Sequence, residues 1–460
     1  MTDDEKREGT MNAATLDQPL TAILADDEHF GRNFIGGKWV FPAAPYDFEI
    51  RNPADSTVTT VVPLSSRFDV DRAVATARAA LGGTWSRDLA RTRLLQTLVD
   101  SLDANREPLA LLQSRESGLS FDDSLAAVNA TVAAARAILS HGTPQDGARS
   151  AGVTGHVLCW GLPLTEVVTS ALPSLLRGSA VVVKPSLRGP LSAVAFARLA
   201  EDCGLPPGVV NIVQGTGTDV GAELFSRRDL AGVHVRGGER TIELARRGSQ
   251  RTGVPLHAVC GGGNLGVAGP EAAGDADAIA ATVTAGARLH GGPFSLPLLA
   301  LHRDAATAVL PAVLGRLTAV SPGPLPTDLV RGRALARIED LVKAGATVLL
   351  GGQVPDDAAH RMGWRMPATA LMLHGAGSPA ARREQELSPL GPVLGILTWT
   401  SWADLSAHLR APRHADGTAF VWGTSLPPAG TLPGLVAGAP KTGAWPSAEA
   451  LAPAWTEPAR

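Results

Sequence analysis

The feature that most constrains this chain is a change of hydrophobic rhythm near residue 153. Before it, apolar residues recur at helical spacing over 66–80, 90–115 and 122–140. The first of these stretches opens on Ser66, Asp69 and Asp71, as a helix start does. After it come short apolar runs at 153–160, 180–183, 209–213 and 232–235, with helical stretches at 190–203 and 218–226 among them. Short, continuously apolar runs alternating with helices are buried strands of βαβ units, so the sequence predicts a parallel sheet covered on both faces. A second series begins with a helix at 275–287, followed by strand candidates at 298–302, 347–350, 367–373 and 393–398. Two α/β units then meet near residue 255, and a cleft between them is the expected ligand site.

The flanks are less regular. Residues 1–28 are polar and aperiodic and read as a flexible tail. Residues 34–40 read as a hairpin around Gly36-Gly37, and a turn at 51–55 feeds a strand at 58–62. Residues 426–460, rich in Pro, Gly and Ala, carry no assignable pattern. The expected division is a tail at 1–28, a dinucleotide-binding-like unit at 29–255, a catalytic-like α/β unit at 256–425 and an irregular C-terminal segment at 426–460.

Composition removes several function classes. A formal charge of −3 from 41 basic and 44 acidic residues argues against a nucleic-acid or membrane-surface partner. Three cysteines in 460 residues exclude a disulfide scaffold. No apolar run is long enough to span a bilayer, and the acidic start Met1-Thr2-Asp3-Asp4-Glu5 is unlike a signal peptide, so a cytoplasmic location is expected. Lysine occurs only as Lys6, Lys38, Lys184, Lys343 and Lys441. A lysine kept in an apolar setting, as Lys184 is, therefore carries more information than usual.

Several motifs follow one another in order. They are Cys159-Trp160-Gly161-Leu162-Pro163-Leu164, Val181-Val182-Val183-Lys184-Pro185-Ser186, and Gly204-Leu205-Pro206-Pro207-Gly208-Val209-Val210-Asn211. Next come Gly215, Gly217 and Gly221, then Gly261-Gly262-Gly263-Asn264, and finally Leu390-Gly391-Pro392-Val393. Collinear over roughly 33–430, they resemble the aldehyde dehydrogenase superfamily. The resemblance implies two Rossmann-like α/β domains with a cleft between them. It also implies a mechanism in which a cysteine thiolate attacks an aldehyde, hydride leaves to NAD(P) and water releases the acid.

Checked position by position, the implied machinery is altered. Aligning Gly291 and Pro297 on the family's nucleophile loop puts Phe294 where the cysteine stands, with Ser295 beside it an ordinary loop serine. Gly161 occupies the place of the oxyanion-binding asparagine, and Val259 that of the general base. Cys159, Cys203 and Cys260 are expected to be small buried hydrophobes. The resemblance assigns cofactor contacts to Trp160, Lys184, Ser186, Gly215, Gly237 and Gly238. Leu187 and Ser388 replace two glutamates that grip the riboses, which predicts NAD binding roughly 10²- to 10⁴-fold weaker than in active relatives. No cofactor is firmly predicted, with NAD or NADP expected to bind weakly at most and no metal. Arg236 reads as a solvated loop arginine, with a phosphate contact as the alternative.

The losses at 294, 259 and 161 predict a degenerate member, a pseudoenzyme without catalytic residues that leans away from enzymic activity and works by protein–protein interaction. It is expected to scaffold or regulate, as a hetero-oligomer with an active paralogue or pathway enzyme or as a homodimer. The alternative is an NAD(P)-dependent oxidoreductase acting on an aldehyde with a rebuilt site. The stretch from Ser140 to Gly152 is too short for the family's oligomerisation hairpin, and the chain ends before its final strand, so the usual tetramer is not expected.

Overall fold

Gly36 and Gly37 are left-handed, at φ +64° and +74°, the conformation a two-residue hairpin turn requires. They join β1 (Asn33–Ile35) to β2 (Lys38–Val40), and β3 (Asp47–Arg51) pairs with β4 (Val58–Pro63) in a second hairpin. This computed structural model describes residues 29–44, 46–82, 85, 88–141, 152–260, 264–288, 296–321, 323–383, 387, 391–409 and 419–423. The tail 1–28, most of the 140–152 connection, Phe294, Ser295, Ser388 and the segment 426–460 lie outside the described residues.

Helix α1 (Arg67–Ala79) begins where the Asp69 carboxylate accepts the Ser66 N–H at 3.0 Å. The helical stretch expected at 90–115 is in fact two helices, α2 (Asp88–Ala104) and α3 (Arg106–Ser117). Asn105 separates them by donating its side-chain amide to the Ser101 carbonyl at 2.8 Å, a local bond that competes with helix continuation. Helix α4 (Phe121–His141) follows.

The change of rhythm at 153 marks β5 (Val153–Val157), followed by β6 (Ala180–Lys184), β7 (Val210–Ile212), β8 (Gly232–Gly237) and β9 (Leu256–Cys260). They run parallel in a seven-stranded sheet of order β2-β1-β7-β6-β5-β8-β9. The connecting helices are α5 (Pro163–Leu176), α6 (Leu191–Asp202), α7 (Ala222–Ser226) and α8 (Glu239–Thr252). One face of the sheet packs with α2–α6 and the other with α1, α7 and α8. Coverage on both sides is why these strands are apolar throughout rather than alternating.

Residues 261–264 alone join β9 to β10 (Leu265–Ala268), so the C-terminal edge of the first sheet abuts the N-terminal edge of the second. The second series continues with α9 (Ala276–Arg288), β11 (Leu298–His302), α10 (Ala306–Thr318), β12 (Gly323–Pro324), α11 (Asp328–Lys343), β13 (Thr347–Leu350) and α12 (Ala358–Arg361). It ends with β14 (Arg365–Met366), β15 (Thr369–Gly375), α13 (Pro379–Arg382), β16 (Val393–Trp399), α14 (Trp402–Leu409) and β17 (Ala419–Trp422). The sheet order is β13-β15-β16-β11-β10-β17, parallel except for β13. The two units are tied by an Arg288–Asp123 ion pair at 3.2 Å and by the Trp364 N–H donating to the Pro53 carbonyl at 2.9 Å. Among the described residues no helix is long and apolar enough to cross a membrane.

Candidate active site

In the first sheet the chain steps outward from β5 through β6 to β7, then returns to the opposite side of β5 for β8 and β9. The order reverses between β5 and β8, so the loops leaving those strands at their C-terminal ends lead away on opposite sides, the topology that opens a crevice. Open α/β sheets bind ligands there. The loop after β5 carries Trp160 and Gly161, and Arg236 and Gly237 end β8, with Gly238 next. Val259, at the end of β9, and Lys184, at the end of β6, lie on the same edge. Gly161 has φ +130°, a conformation that side-chain-bearing residues rarely adopt. An asparagine at 161 would be strained in this backbone.

Beneath the crevice lies a buried polar cluster that the sequence reading missed. Residues 166, 169 and 170 of α5, at helical spacing, face the sheet. From β8, Arg236 Nη1 donates to Thr169 Oγ1 at 2.9 Å and pairs with Glu166 Oε2 at 3.4 Å. Arg236 is 7% exposed and Glu166 wholly buried. Arg236 is therefore neither the solvated loop residue nor the phosphate contact that sequence suggested: it is an interior cation held by α5. Burial pushes the Glu166 carboxyl above its ordinary range, against the pull of Arg236. Burial and the Glu166 charge together hold the Cys159 thiol well above the usual thiol range. Cys203, hydrogen-bonded to Ser101, is pushed up to about 11 by burial. Both are thiols rather than thiolates at neutral pH, which makes them poor nucleophiles.

Next to this cluster, His156, His234 and His257 stand in register on β5, β8 and β9. The rings of His156 and His234 stack at 4.7 Å and 3°, and His257 follows at 5.4 Å from His234. Burial first, and the neighbouring positive charges second, hold His156 well below the imidazole range and lower His234 to about 3. The His156 ring is held between Thr154 Oγ1 at 2.9 Å and Ser170 Oγ at 2.7 Å. Three histidines in three short strands were a signal available in the sequence. Their register was not, because it depends on which strands pair.

The edge fits a dinucleotide. Lys184 is buried with Nζ donating to the Pro185 carbonyl at 2.9 Å, and burial lowers its pKa to about 8. Its stem reaches the glycine turn after β7: a Cβ on Gly221 would lie 3.9 Å from Lys184 Cδ. In that turn Gly215 has φ +154°, and a Cβ there would lie 2.7 Å from Val220 Cγ2, so only glycine fits. Gly238 begins α8 without a side-chain cap, leaving first-turn N–H groups for an anionic group. Lys184, Gly237 and Gly238 are thus the residues that would hold a pyrophosphate and ribose along this edge. Trp160 and Ser186 lie on the loops after β5 and β6. Trp160 Nε1 donates to the Glu116 carbonyl at 3.3 Å, and Ser186 Oγ accepts the Arg188 N–H at 3.3 Å, each fixing its own loop. The Glu116 carboxylate in turn accepts the Leu191 and Ser192 N–H groups at 2.7 and 3.0 Å at the start of α6. Burial raises its pKa to about 7.

The sequence profile of the aldehyde dehydrogenase family matches residues 39–408. The chain belongs to that family. It is 29% identical to 3,6-anhydro-alpha-L-galactose dehydrogenase of Streptomyces coelicolor, over 85% of this chain and 84% of that one. It is 30% identical to 2-hydroxymuconic semialdehyde dehydrogenase of a Pseudomonas species, over 73% and 76%. Among solved structures, a mutant form of the aldehyde dehydrogenase from Bacillus cereus superposes with TM-score 0.78 at 25% identity, covering 90% of this chain and 89% of that one. The fold expected from the sequence is the fold observed.

The family membership holds, but the expectation of a degenerate, non-catalytic binding partner is overturned. Relatives matching over most of both chains are named as dehydrogenases of aldehydes, which supports an enzyme. The physical reason that the sequence misled lies in what it weighed. Phe294 was placed by registering a single loop, and that loop lies outside the described residues. Gly161 and Val259 were judged by lost side chains alone, without the buried charges of α5 and β8 that pack beside them.

Proposed function

We propose that this chain is an NAD(P)-dependent oxidoreductase acting on an aldehyde, with its active site at the switch point of the first sheet. The observation that carries this reading is the buried Arg236–Glu166 pair under the crevice that also presents Gly161, Gly237 and Gly238. A bound nicotinamide dinucleotide supplies the two-electron acceptor or donor. The chain's own residues supply the electrostatics. Arg236 is a fixed positive charge in a dry environment beneath the crevice, and in this reading it stabilises negative charge developing on an aldehyde oxygen bound above it. The start of α5, with Pro163 in its first turn, adds the positive end of a helix dipole from the same side. Glu166, its carboxyl lifted above the ordinary range by burial, is a candidate proton holder beside the Arg236 charge.

The test is steady-state turnover of the purified chain with NAD and NADP against an aldehyde panel. That panel should include the anhydrosugar and semialdehyde types that the relatives' names specify. Aldehyde-dependent formation of reduced dinucleotide is expected. Absence of turnover with either dinucleotide across the panel would sink the reading.

A further inference from the structure

A second cavity, of about 650 Å³, opens at the C-terminal edge of the other sheet. Its position follows from topology. The N-terminal ends of β10 and β11 adjoin the first sheet, so the C-terminal ends of β11, β15 and β16 point away from the active-site crevice. In this sheet too the strand order reverses, because β15 lies beyond β16 and the chain turns back to insert β16 beside β11. The cavity sits at that reversal, where parallel sheets collect ligands, and its volume suits a small metabolite.

Its lining is built for charge. Arg303, just after β11, and Arg382, the last residue of α13, both line it and are both exposed. Neither forms an ion pair with a described carboxylate, although Asp404 lines the same cavity. Asp404 is turned to the start of α14, where it accepts the Ser401 hydroxyl at 2.8 Å. The fourth titratable neighbour, His408, is half-buried, hydrogen-bonds to the Ala376 backbone and is lowered by burial, so it adds no positive charge at neutral pH. The floor is Gly375-Ala376-Gly377. A Cβ at either glycine would meet nothing within 4 Å, so the space is open. The floor is shaped by a bulge in β15 between Met372 and His374, and His374 is held at φ +63°. A non-glycine residue in that conformation is strained, and such strain and bulges gather at functional sites.

We infer that this cavity is a binding site for a small multivalent oxyanion, a phosphate ester or a polycarboxylate, clamped by Arg303 and Arg382. Guanidinium groups pair with such oxygens two at a time. Asp404, on the same lining, repels an anion and weakens the site. The inference is independent of the activity proposed for the first sheet.

Calorimetric titration of the full chain, without dinucleotide, tests it with inorganic phosphate, pyrophosphate and citrate as separate arms at matched ionic strength. Saturable one-to-one binding is expected in at least one arm, and the responding arm tells phosphate from carboxylate chemistry. Arg303→Gln and Arg382→Gln should each weaken it about tenfold, the size of one charged hydrogen bond. Asp404→Asn should tighten it. All three side chains lie at or near the surface, and thermal melts matching the wild type will confirm that the variants fold. No saturable binding in any arm, or binding unchanged in the R303Q/R382Q double variant, overturns the inference.

Discussion

The two sheets present their C-terminal edges in opposite electrostatic states. On the first, Arg236 is interior, paired to a buried carboxylate and close enough to histidines kept neutral by burial to lower them further. On the second, Arg303 and Arg382 stand at an open cavity with no described acid partner. The difference comes from what covers each edge. Helix α5 packs on the face of the sheet over His156 and Arg236 and keeps water from them, so a charge there must be matched. Among the described residues, the edge of β11, β15 and β16 is lined by short helices and a glycine loop, so water or a solute can serve its arginines. A pre-paired, desolvated charge suits chemistry on a neutral carbonyl, and a hydrated one with no acid partner among the described residues suits capture of an anion.

The largest expected effect breaks the comparison at its arginines. Arg236→Met leaves Glu166 buried without its partner and should cost about 3–5 kcal/mol in urea unfolding. Arg303→Met, at an exposed site, should stay within about 0.5 kcal/mol of wild type. Similar losses at both positions would erase the distinction. Replacing Arg236 and Glu166 together by apolar residues should recover much of the loss, because the pair's desolvation is then avoided.

Next in size is the loop above the pair. Gly161→Asn reinstates the amide that the family resemblance associates with oxyanion binding, but in a backbone at φ +130°. It should lower stability by about 1–3 kcal/mol and not raise turnover. A faster, equally stable variant would show that the loop relaxes freely and that the missing amide, not the backbone, limits the site.

The smallest is a pH effect confined to the first sheet. The folded pKa of His234 lies near 3, below its ordinary 6.5. Its contribution to stability is therefore complete above about pH 6.5 and is lost as pH falls toward 3, because the unfolded chain takes up the proton first. Unfolding free energy should drop by about 1–2 kcal/mol between pH 6.5 and 5, at 1.36 kcal/mol per pKa unit. His234→Phe should flatten that limb. An unchanged limb would mean that the ladder is not kept neutral by burial.

How much of this was legible in the sequence differs from element to element. The hairpin at Gly36-Gly37, the start of α1 at Ser66 and the apolar strands from β5 onward were readable, because each depends on local spacing, capping or turn chemistry. β3, β9, β10, β12, β14 and β17 were not read, being brief and without a distinguishing period. The division of 90–115 at Asn105 escaped because both halves keep the same apolar spacing. At the site, the edge positions of Gly161, Lys184, Gly238 and Val259 followed from motif order. Glu166 and the histidine ladder did not, since a glutamate in an apolar helix and histidines in separate strands gain meaning only from what packs against them.

The sequence by itself determined the parallel two-sheet architecture and the family, because alternating buried strands and helices admit few topologies and the motifs are collinear with them. Only the tertiary structure decided that Arg236, Glu166 and the three histidines share one buried cluster. Electrostatic worth depends on desolvation and on partners brought together from α5, β5 and β8, and neither is a property of a position along the chain.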